Sequence, residues 1–122
     1  MAKVNLVEKK AQLSRIGIIK FQLMTHCFMI NLKLSNNELE CLTLLGYNGD
    51  RDLAEFCNDS VQNNTFKTAQ TVRNFLTKAC TLNLVTKTGT NKKTIKLADE
   101  LQIQTEGNIV LDFKIVHVTK EQ

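Results

Sequence analysis

Polar and apolar positions along residues 63–97 first follow one period and then another. Ala69, Val72, Leu76 and Ala79 recur at steps of three and four, so on a helix they form one apolar stripe. At about 100° per residue, Lys67, Gln70, Asn74, Thr77, Lys78 and Thr81 lie on the opposite face, with Arg73 at its edge. Further on the period drops to two. Leu84-Val85-Thr86-Lys87 and Thr94-Ile95-Lys96-Leu97 alternate on either side of Thr88-Gly89-Thr90-Asn91, which is a hairpin signal. The pattern predicts one helix followed directly by a two-stranded ribbon.

Upstream, Ser35-Asn36-Asn37-Glu38 reads as a capping box: the Ser35 hydroxyl accepts from the Glu38 N–H, and the Glu38 carboxylate reaches back to the Ser35 N–H. Leu34 and Leu39 sit at the two positions of a hydrophobic staple, and Leu39, Leu42 and Leu45 mark the buried face. Gly46 is expected to end this helix, with Tyr47-Asn48-Gly49 as the turn. Asp50 is expected to cap a shorter helix carrying Leu53, Ala54, Phe56 and Cys57. Residues 58–64 then separate it from the next helix, a longer gap than the three or so residues of a tight helix-turn-helix. Either the second helix runs on through Val61 or the turn is loose.

At the two ends the pattern points to strands. In residues 16–34, Ile19, Phe21 and Leu23 alternate with Lys20 and Gln22, and Phe28, Ile30, Leu32 and Leu34 alternate with Met29, Asn31 and Lys33. This predicts one long strand or two short ones, a long helix being the competing reading. Residues 1–14 are mixed and charged, and read as a short helix or as an arm that orders against a partner. After a turn at 98–100, residues 102–105 and 108–118 read as strands around Glu106-Gly107, with Ile109, Leu111, Phe113 and Ile115 alternating with Val110, Asp112, Lys114 and Val116. Terminal strands with an apolar face expose a sticky edge, so they are expected to pair with each other or with another subunit. A homo-oligomer or larger assembly is the expected working state.

Charge changes the picture most. Residues 60–98 contain no Asp or Glu but seven bases: Lys67, Arg73, Lys78, Lys87, Lys92, Lys93 and Lys96. The whole chain has 16 basic and 12 acidic residues, so the remainder carries nine against 12, and the net +4 comes from this one stretch. A helix with a polar cationic face followed by a Lys-rich hairpin offers duplex DNA a rod for the major groove and cations for the phosphates. The pattern Thr-x-x-x-Val-Arg-x-x-Leu, running through Leu-x-Leu-Val-x-Lys to Lys-x-Ile-x-Leu, resembles the recognition helix and wing of the winged helix-turn-helix family. With the two preceding helices the resemblance covers residues 34–97. It implies an α+β fold with a core of three helices and a hairpin wing at residues 35–97, within a single domain of residues 1–122. An arm and strand or strands at 1–34 and further strands at 98–122 are added to it.

Composition adds limits. The chain is long enough for a modest core, and nothing in it marks a linker. The apolar run at 16–30 is too short and too polar to span a bilayer, and the N-terminus lacks a signal-peptide core, so a cytoplasmic protein is expected, or alternatively one carried in a virion. Cys27, Cys41, Cys57 and Cys80 lie 14, 16 and 23 residues apart, without the short spacing of a zinc or redox motif, and read as small buried thiols. His26 and His117 lie at the ends of strand-like runs and no phosphate loop occurs, so neither an enzyme nor a cofactor is expected.

Two readings of function follow. In the first, Gln70 and Asn74 present amide edges to bases, while Lys67, Arg73 and Lys78 contact phosphates. Lys92 and Lys93 reach the backbone or minor groove from the wing tip, and Thr71, Thr77 and Lys87 complete the surface. The partner is then double-stranded DNA, and the role that of a small transcriptional regulator or nucleoprotein component. In the second, the winged helix is a protein–protein scaffold, such as an adaptor, collar or ring component of a tailed-phage particle.

Overall fold

A computed structural model of the chain describes residues 3–11, 13–107 and 109–117. In order along the chain these form β1 (Lys3–Ala11), α1 (Arg15–Met29), α2 (Asn36–Asn48), β2 (Arg51–Asp52), α3 (Leu53–Gln62), α4 (Ala69–Thr81), β3 (Val85–Thr88), β4 (Thr94–Leu97) and β5 (Ile109–His117).

Residues 15–29 are helical, which corrects the expected strands at 16–34. The Ser14 hydroxyl caps α1 by accepting from the Gly17 N–H at 3.1 Å. Ile19, Leu23 and Cys27 then repeat every four residues along its buried face. The apparent alternation came from apolar residues on the other face: Phe28 is 83% exposed and Met29 78%. With apolar groups all round, the helical period is hidden.

The capping box of α2 is formed as the sequence predicts: Glu38 N–H donates to Ser35 Oγ at 3.2 Å, and Ser35 N–H donates to Glu38 Oε1 at 2.8 Å. The expected stop at Gly46 is not where α2 ends. The helix continues to Asn48, and Gly49, with φ at 76°, closes it. Gly46 has another task. A Cβ there would stand 2.7 Å from Leu97 Cδ1 and 2.8 Å from Ile19 Cγ2, so the bare backbone lets α1 and β4 close on α2.

Asp52, not Asp50, caps α3. Arg51 and Asp52 pair with Ile95 and Thr94 of β4, which holds the chain extended for two more residues. The Asp52 carboxylate then accepts from the Glu55 N–H at 3.1 Å, and the Leu53 N–H donates to the Lys93 carbonyl at 2.9 Å. Downstream, α3 runs through Val61 to Gln62, and six residues, 63–68, lead to α4. That turn is fixed from inside: the buried Thr65 hydroxyl meets Ser60 Oγ and donates to the Ser60 carbonyl at 2.9 Å.

One C-terminal device recurs. Asn31, Asn64 and Asn83 follow α1, α3 and α4 with φ of 57°, 63° and 61°. The next residue's N–H returns five residues to a helix carbonyl: Leu32 to Cys27, Thr65 to Ser60 and Leu84 to Ala79, at 2.8–3.1 Å. Asparagine tolerates this left-handed conformation better than most side chains, and here takes the place usually held by glycine.

The small sheet has the order β2-β4-β3, with both pairings antiparallel. Its inner residues Val85 and Ile95 join one apolar core with Ile19 and Leu23 of α1, Leu42 and Leu45 of α2, Phe56 of α3, and Val72, Phe75 and Leu76 of α4. Residues 102–105 do not form the expected strand. The Gln22 side-chain amide takes the place of a strand partner, donating to the Gln104 carbonyl at 2.6 Å and accepting from its N–H at 2.8 Å. β1 and β5 form a separate antiparallel ribbon of nine residue pairs, from Lys3↔His117 to Ala11↔Ile109. The N-terminal strand therefore lies at 3–11, where a short helix or arm was expected. Among the described residues no helix is long and apolar enough to cross a membrane.

Candidate nucleic-acid interface

α4 is built to show one face. The Thr68 hydroxyl accepts from the Thr71 N–H at 3.1 Å and starts the helix; Val72, Phe75, Leu76 and Ala79 are buried along one side. Phe75 extends the predicted stripe and packs on Phe66 with ring centroids 5.8 Å apart. The opposite side carries Gln70, Thr71, Asn74, Thr77, Lys78 and Thr81, all exposed.

At the centre of that side the Gln70 amide donates to Asn74 Oδ1 at 2.9 Å. The bond ties the two amides together and leaves donor and acceptor capacity free on each. The Thr77 hydroxyl donates to the Arg73 carbonyl at 3.0 Å, and the Thr71 and Thr68 hydroxyls share a hydrogen at 2.8 Å, so both point partly into their own helix. Lys67, just before the cap, is exposed and borders a hollow with Asn37, Asn64 and Thr71.

On the wing side the structure gathers cations that are far apart in sequence. Arg73, Asn91, Lys92 and Lys93 line one hollow with Asp52, Leu53 and Ala54 at the start of α3. Lys87 lies on β3 in register with Ile95 of β4; burial pushes the Cys57 thiol up from its ordinary range, and the charges of Arg73 and Lys87 both oppose that rise. Gly89, with φ at 101°, makes the wing tip: a Cβ would stand 2.2 Å from the Lys92 carbonyl oxygen, so only glycine closes this turn. Lys92 Nζ lies 4.0 Å from Asp52 Oδ1, but its side chain is 75% exposed, and so open a pair holds it weakly.

On the other flank Lys78 donates to Glu38 Oε2 at 3.3 Å, tying α4 to the start of α2. Burial pushes the Glu38 carboxyl up, but hydrogen bonds from Ser35 and the Lys78 ammonium outweigh it and hold the group below its ordinary value. Lys78 is thus partly neutralised within the chain, whereas Lys92 is held only weakly and Lys67 and Lys93 have no ion pair among the described residues. Sequence reasoning passed over Asn91 and Asn37; Asn91 had only the turn composition as a signal, and Asn37 lay inside the capping box. Cys41 and Cys57 are fully buried, Cys27 nearly so and Cys80 half-buried; burial pushes the Cys41 thiol up to about 11.

Helices α2, α3 and α4 followed by the β3–β4 hairpin, with β2 pairing β4 between the first two, make a winged helix-turn-helix. The fold is similar to that of the ferric uptake regulator Fur of Helicobacter pylori, with a TM-score of 0.51 and 14% sequence identity, over 86% of this chain and 73% of that one. At that identity the likeness concerns the fold alone. The structure of Fur is described as revealing three functional metal-binding sites. Among the described residues here no three His, Cys, Asp or Glu side chains converge as such a site would need. No family model matches the sequence, and no curated protein matches it.

Proposed function

We propose that this chain binds double-stranded DNA through α4 and the β3–β4 wing, as a small regulator or nucleoprotein component. One observation carries the reading: the acid-free stretch folds so that Arg73 of α4 lines one hollow with Lys92 and Lys93 of the wing, while the same helix exposes the amides of Gln70 and Asn74. Amides read base edges, with asparagine and glutamine pairing well to adenine, and the flanking cations hold phosphates without regard to sequence. Lys67 at the front of α4 serves a further phosphate, and Lys78 does so to the extent that it leaves Glu38. The fold shared with a protein named as a regulator agrees with this role.

Replacing Lys92 and Lys93 together with Ala should weaken binding to all duplex sequences alike and lower the salt slope by about two, one for each phosphate no longer neutralised. Asn74→Ala should instead change which sequences are preferred, by about 1–3 kcal/mol at the base it reads. Fluorescence anisotropy on a panel of labelled duplexes separates the two effects. If neither substitution alters affinity, α4 and the wing are not the DNA-binding surface.

A second reading is favoured by a different observation. Phe28 and Met29, at the end of α1, are the most exposed of the large apolar side chains described, which suits a winged helix that serves as a scaffold for other proteins. On that reading the duplex panel gives no salt-dependent binding.

A further inference from the structure

The β1–β5 ribbon pairs with no other strand among the described residues, so each of its strands has an open outer edge. A lone two-stranded ribbon is marginal in water, and an open edge is a template for another strand. The two edges differ in charge. β1 carries Lys3, Lys9 and Lys10 against Glu8, so two β1 edges repel; β5 carries one Asp112 and one Lys114.

β5 is complementary to itself. Laid antiparallel beside a second β5 with Phe113 opposite Phe113, its Asp112 stands opposite the partner's Lys114, and its Lys114 opposite the partner's Asp112. Leu111 then stands opposite the partner's Ile115, and Val110 opposite the partner's Val116. Slipping by two residues either way sets Asp112 against Asp112 or Lys114 against Lys114, so charge selects this one register. Within the ribbon Asp112 holds the register position opposite Glu8, and an added strand on the other side of β5 brings it a lysine in register.

We propose that two copies of this chain associate through their β5 edges, giving a four-stranded sheet in the order β1-β5-β5-β1. The interface is two-fold and isologous, and it places Leu111, Phe113 and Ile115 of both copies on one continuous face. It stands on the ribbon alone and is independent of DNA binding.

The test is the mass of the full chain by sedimentation equilibrium from about 1 to 100 μM, a range that brackets micromolar association. The wild-type chain should be a dimer. Asp112→Lys and Lys114→Asp each create two like-charge pairs across the two-fold axis, and each should raise the dimer Kd by about tenfold or more. The double variant carrying both changes restores opposite charges in the same register and should return to within about threefold of wild type. Asp112→Lys sets opposite rather than like charges at the register position shared with Glu8, so it is expected to leave the ribbon paired. Circular dichroism on each sample checks the fold. A wild-type chain that stays monomeric, single reversals without effect, or a double variant as weak as the singles would overturn the proposal.

Discussion

Gly46 shows how one residue sets the packing of three elements. Mid-helix glycine normally costs stability, and replacing it with alanine gains about 1 kcal/mol where there is room. Here there is none: Leu97 and Ile19 already occupy the space a methyl would take. Gly46→Ala should therefore destabilise the chain by about 1–3 kcal/mol, as overpacking does. Urea unfolding of the two proteins decides the sign, and a stabilised variant would mean that α1 and β4 are not pressed on α2. In the sequence Gly46 looked like a helix stop because composition reports the missing side chain, and not the neighbours that require it to be missing.

The elements differ in how far the sequence revealed them. α4 and the wing were legible because their apolar residues keep to one face, so each period stands out: Val72, Leu76 and Ala79 inside, Gln70 and Asn74 outside. The capping box of α2 was legible because it is local. α1 was not, since Phe28 and Met29 on its outer side make a helix look like alternation. The start of α3 was missed by two residues because β2 depends on β4, more than 40 positions later. The three asparagine caps leave only the faint signal of Asn before a buried or half-buried residue. In the candidate site, sequence listed the cations but could not show that Lys78 is engaged by Glu38 while Arg73 and the wing lysines cluster.

That Glu38–Lys78 link joins two elements and has a pH signature. The folded chain holds the Glu38 carboxyl below its ordinary value near 4.5, so its contribution is present above that value and lost as pH falls through the lower folded one. Wild type should exceed Glu38→Gln by about 1 kcal/mol near neutral pH, and the gap should close in acid as Glu38 protonates. A gap that stays constant with pH would mean that the Glu38 charge contributes nothing.

For the whole molecule, the feature that matters is segregation of charge. The acids before residue 60 are largely engaged: Glu38 with Lys78, Glu40 with Lys20 at 2.5 Å, Asp59 with Arg51, and Asp52 with the start of α3. Of the seven bases at 60–98, Lys78, Lys92 and Lys96 meet a carboxylate, while Lys67, Arg73, Lys87 and Lys93 have no ion pair among the described residues. The unpaired positive charge therefore lies on and beside α4 and on the wing. On the DNA-binding reading proposed above, five cations would meet phosphates: Lys67, Arg73, Lys87, Lys92 and Lys93. The most direct measurement is the affinity of the wild-type chain for a generic labelled duplex, titrated in salt. Five phosphate contacts should lower affinity about five-hundredfold between about 50 and 200 mM salt. Weak binding that hardly changes over that range would contradict the assignment of this surface to DNA.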